Sequence, residues 1–172
     1  MKQVTIECKK FHEWDEETQE RIISEHRDIN VDRDWWISTY EDASNVGIKI
    51  TGFALDRNRH CTGKIDYPFD TAKKIVEEHG ESCETYKTSK SYLEDYNKIM
   101  SYEATGTEEE EEIIDKDIEE EIRDLDEEFI KSILEDYSIM LQREYEYLQE
   151  DEAIISTFEA NEYEFDKEGK IW

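Results

Sequence analysis

Apolar residues recur through the second half of the chain at Ile114, Ile118, Ile122, Leu125, Phe129, Ile133, Tyr137, Met140 and Leu141. Steps of three and four residues put them on one stripe of an α-helix, so the pattern predicts a single long helix from Thr107 to Leu148. Thr107 with Glu110 three residues on reads as a capping box at its start. The first half of the chain patterns differently. Val4, Ile6 and Cys8 alternate with Thr5, Glu7 and Lys9, which predicts a strand over residues 3–9. Asp15 is placed to cap a helix that ends near Glu25 with Ile22 and Ile23 inward, and Asp34 to cap a second that carries Trp35, Trp36, Ile37 and Tyr40 up to Gly47.

Two β-rich runs then flank Asp56-Arg57-Asn58-Arg59 and predict a hairpin, with Asn58 suited to a left-handed turn position. After Pro68, a short helix over Asp70–His79 with Ala72, Ile75 and Val76 inward is closed by Gly80, and residues 82–100 form another. Ser101–Gly106 reads as a hinge. Beyond the long helix, Asp151 is placed to cap a helix with Ile154, Ile155 and Phe158 inward, and Phe165 and Ile171 flank a turn at Asp166–Gly169 as a small hairpin. The fold class expected is α+β, a small antiparallel sheet from the N-terminal half packed with several helices. The chain is expected to form one domain over 1–172, with 1–106 as scaffold and 107–172 as an acidic helical part.

Charge sharpens this picture. The net charge is −27. Residues 1–106 hold 22 acids and 15 bases, and residues 107–172 hold 26 acids and 6 bases, so −20 of the charge is concentrated in the last part. Salt adaptation acidifies a whole surface, so the lopsidedness points to a dedicated acidic face. Between Glu108 and Glu128 there are 14 Asp or Glu in 21 residues, against only Lys116 and Arg123. Along a helix that is one carboxylate per roughly 2.2 Å, close to the one phosphate per about 1.7 Å of duplex DNA. Like charges four apart, such as Asp115 with Glu119, each cost a few tenths of a kcal/mol, so the helix needs its apolar stripe buried to form. The outward set Glu109, Glu112, Asp115, Asp117, Glu119, Glu120, Asp124 and Glu127 is the candidate partner-binding surface.

Other chemistry is sparse. Paired carboxylates are inevitable at this density and carry no information about catalysis, and no P-loop, GxSxG or HExxH pattern is present, so no enzyme activity is expected. His60, Cys61, His79 and Cys83 have the donor types of a zinc site without a compact Cys/His knuckle, and no stretch matches an EF-hand loop, so neither metal nor cofactor is expected. Arg57, Arg59, His60 and Lys64 form the main basic cluster, expected to be a solvated turn that pairs internally with the acidic helix. Trp35 and Trp36 are expected to serve as packing anchors. Three widely spaced cysteines fit reduced thiols, and with no signal-like or membrane-spanning apolar run the expected location is the cytoplasm of a bacterial host cell.

The segments DWWISTYEDASNVGIKITGFALDRNRHCTGK, EEHGESCETYKTSKSYL and ILEDYSIMLQREYEYLQEDEAIISTFEANEYEF resemble a group of small acidic proteins of tailed phages and gut bacteria, some of them labelled antitoxin of a toxin–antitoxin system. The resemblance covers most of the chain and brings no catalytic or metal motif. It implies a phage or mobile-element setting and a neutralising role. With the charge, the functional expectation is a non-enzymatic inhibitor that mimics nucleic-acid charge to block a defence nuclease of the restriction or CRISPR type. An antitoxin masking a basic toxin and an acidic scaffold or assembly protein are the alternatives. The expected partner is a basic nucleic-acid-binding protein, not nucleic acid or membrane directly, with a homodimer also possible.

Overall fold

The computed structural model describes residues 7–101 and 108–172, with side chains from 115 onward in the second stretch. Over the described residues the protein is α+β, about 61% helical, with six helices and a small antiparallel strand set. In chain order these are β1 (Cys8–Lys10), a 3-10 turn (Phe11–Glu13), α1 (Glu16–Glu25), α2 (Ile37–Asn45), β2 (Ile48–Ala54), β3 (His60–Ile65), α3 (Pro68–Glu78), α4 (Glu84–Met100), α5 (Glu108–Leu148), α6 (Asp151–Ala160) and β4 (Glu164–Asp166). They gather into two compact units, one of residues 1–36 with 143–172 and one of residues 37–142. The step in charge at 106/107 falls inside the second unit.

In the unit built from the two sequence-distant segments, Asp15 caps α1 by accepting from the Thr18 backbone N–H at 3.0 Å. Phe11, Ile22, Ile23, Ile154, Phe158 and Phe165 form one buried cluster, with the Phe158 and Phe165 rings 4.8 Å apart. β1 pairs antiparallel with β4, Cys8 opposite Asp166. The C-terminal hairpin is as expected, with Phe165 bridging Ile171. Buried Asp166 ties its turn together, accepting from the backbone N–H of Glu168 at 2.9 Å and the indole N–H of Trp172 at 3.0 Å.

The other unit packs the β2–β3 hairpin and α2, α3 and α4 with most of α5. Ile48 and Ile50 are buried while Lys49 and Thr51 are exposed, the alternation of a half-buried strand. A bulge falls between Ile50 and Gly52. Gly63 permits close packing: a β carbon there would lie 2.9 Å from the Lys49 carbonyl oxygen and 3.0 Å from the Leu134 side chain on α5. Gly47, at φ 95°, ends α2 in the left-handed conformation.

Four local expectations are corrected. Trp35 and Trp36 precede α2, which begins at Ile37, because both are half-buried in a turn where the Trp35 ring meets Tyr145 at 5.4 Å. Tertiary packing overrides the capping signal at Asp34. Asn58 does not take positive φ; the Asp56 carboxylate accepts from its N–H at 3.1 Å and closes the turn instead. The N-cap of α6 is Glu150, and Asp151 pairs with Arg27. Of the strand expected over 3–9, Cys8–Lys10 is the strand observed and residues 3–6 lie outside the described residues. The hinge beyond Ser101 and the Thr107–Glu110 capping box lie outside them too.

Candidate functional site

α5 is one continuous helix of 41 residues, as its stripe predicts. Phe129, Ile133, Tyr137 and Leu141 are buried, whereas Ile118, Ile122, Leu125 and Met140 are half-buried. Burial therefore deepens from Ile118 to Ile133. The packed part is fixed by α4, which runs antiparallel to it. The Tyr92 and Phe129 rings lie 4.4 Å apart, the Tyr92 hydroxyl donates to Asp126 at 2.6 Å, and the Thr88 hydroxyl donates to Asp136 at 2.6 Å.

The six outward residues that are described, Asp115, Asp117, Glu119, Glu120, Asp124 and Glu127, are all exposed. The side chains of Glu109 and Glu112 lie outside the described residues. Arg123 sits among the carboxylates, 3.3 Å from Glu120 and 3.9 Å from Asp124. Such exposed pairs are weak, so the face keeps its negative potential. Asp115 and Glu119 project from a different side of the helix than Glu120 and Asp124, so the charge wraps the helix instead of forming one line.

Not every carboxylate of α5 is free for a partner. Asp126 and Asp136 are half-buried, and burial pushes the Asp136 carboxyl upward, aided by Glu84 and Glu135 and opposed by the Thr88 hydrogen bond. Their position was readable, since Asp126 follows Ile122 by four and Asp136 follows Ile133 by three, both on the apolar stripe. Arg59 of the basic cluster pairs with Glu135 of α5, the internal pairing expected, and the His60 ring donates to the Asn58 carbonyl at 2.7 Å.

The zinc-type donors serve separate ends. His79 Nδ1 lies 2.7 Å from the Thr85 hydroxyl and its Nε2 3.6 Å from Asp42, Cys61 is buried, and Cys83 is exposed ahead of α4. Among the described residues, no three His, Cys, Asp or Glu are grouped to hold a metal ion, and no helix is long and apolar enough to cross a membrane. No family model matches the chain, and no curated protein or solved structure matches it.

Proposed function

We propose that the protein is a non-enzymatic inhibitor whose acidic helix occupies the nucleic-acid-binding groove of a bacterial defence nuclease. The observation that carries this reading is the exposure of all six described carboxylates of the outward set, on a helix whose charge spacing approximates that of a phosphate backbone. A protein so charged repels nucleic acid and is steered to basic clefts. The antitoxin reading, a basic toxin in place of the nuclease, rests on the resemblance to proteins so labelled and uses the same surface.

The test is competition. Purified restriction and CRISPR nucleases are incubated with labelled DNA and increasing amounts of this protein. Displacement of DNA from at least one of them, weakening as salt rises, is the expected result. A ternary complex of nuclease, DNA and this protein overturns mimicry; indifference of every nuclease together with tight binding to a small basic toxin moves the antitoxin reading to the front.

A further inference from the structure

Beside the acidic face, α4 and α5 leave a groove of about 340 Å³ between them. It is at the small end of the roughly 300–1,000 Å³ typical of ligand sites, which suits one side chain better than a cofactor. Its lining brings together the carboxylates of Asp95 and Glu128 and the rings of Tyr92 and Phe129. No lysine, arginine or histidine lines it. Carboxylates only accept hydrogen bonds, and the lining hydroxyls of Ser91 and Ser132 can accept as well. The Tyr92 hydroxyl is already committed to Asp126, so what Tyr92 lends the groove is its ring. Asp95 holds Lys98 at 2.7 Å in an exposed pair that a better cation can displace, and among the described residues no cation pairs with Glu128.

Acceptors beside aromatic rings complement a guanidinium, which is flat, carries five N–H donors and no acceptor, and stacks on aromatic faces. The geometry points to this groove as the seat of an arginine side chain of the partner, its stem along Leu125 and Phe129 and its head between Asp95 and Glu128. This rests on the inhibitor reading and names the residue by which the partner anchors. Arginine is over-represented among residues that dominate interface energy, and nucleic-acid-binding clefts are rich in it.

The test needs no partner. The isotope-labelled full chain is titrated with N-acetyl-arginine amide and, as a neutral isostere, N-acetyl-citrulline amide, while backbone amide shifts are followed. Saturable shifts at Ser91, Tyr92 and Ser132 with the arginine probe alone are expected, and Asp95→Asn with Glu128→Gln should weaken them about tenfold. Equal shifts with citrulline, or unsaturable shifts spread over residues 115–127, overturn the groove. A failed titration leaves the competition with DNA untouched, and a failed competition leaves the titration standing.

Discussion

The Tyr137 hydroxyl donates to Asp42 Oδ2 at 2.8 Å, so a fully buried ring of α5 is hydrogen-bonded to a half-exposed carboxylate of α2. Burial drives the Tyr137 phenol well above its ordinary value, and the bonded Asp42 carboxylate adds to this, both favouring the protonated donor form. Tyr137→Phe keeps the packing and removes the bond, and should cost about 1–2 kcal/mol in denaturant unfolding. Asp42→Ala strands the buried hydroxyl and should cost at least as much. Melting of both variants at the wild-type temperature would show that the contact contributes nothing.

Replacing Asp115, Asp117, Glu119 and Glu127 by Asn or Gln removes four outward charges while leaving the Arg123 partners in place. Stability should be equal or slightly higher, because like-charge neighbours such as Asp115 and Glu119 no longer repel, at a few tenths of a kcal/mol per pair. Binding to the partner should weaken and lose much of its salt dependence, since charges are screened over about 8 Å at physiological ionic strength. Calorimetry across a salt series checks both. Unchanged affinity would mean that the carboxylates confer solubility and nothing more.

Stability should peak in mildly acidic solution. The Asp136 carboxyl is raised in the folded protein, so its contribution is largest when it is protonated and declines as pH rises from about 3.9, the ordinary Asp value, through its folded value. Asp15 and Asp166 are lowered, chiefly by the Thr18 backbone N–H and the Trp172 indole respectively, so their contributions are complete above about 3.9 and are lost as pH falls through their folded values. Thermal melts from pH 3 to 8 should therefore rise and then fall on acidification. Asp136→Asn should flatten the limb above the maximum, and an unaltered limb would refute the assignment.

Thiol labelling separates the cysteines. Burial pushes the Cys61 thiol up to about 11, whereas Cys83 is exposed. A thiolate reagent at neutral pH should modify Cys83 quickly in the folded protein and Cys61 only after unfolding, as peptide mass mapping would reveal. Fast native labelling of Cys61 would contradict its buried place on β3.

Periodicity carried the long helix, the α1 cap, the β2–β3 hairpin and the C-terminal turn, because each is written in residues close in sequence. What it did not carry is set by distant partners. Nothing in Cys8-Lys9-Lys10 names Phe165 and its neighbours as the facing strand, and three-residue strands are too short to have a period. Trp35 and Trp36 looked like helix residues until the ring of Tyr145 claimed one of them. For the site, exposure of the six described outward carboxylates followed from the stripe, whereas the groove was hidden because it takes α4 and α5 side by side to form it.

The pairing of β1 with β4 sets a timetable. Cys8 emerges from the ribosome roughly 160 residues ahead of Asp166, and at about 5–20 residues per second it waits on the order of 10–30 s for its strand partner. Residues 37–142 are synthesised before then, while Phe11, Ile22 and Ile23 lack their cluster partners Phe158 and Phe165 until those two residues are made. For that interval the nascent chain presents apolar side chains to holdase chaperones, and synonymous codons that slow translation across residues 143–172 lengthen the exposure without changing a single amino acid.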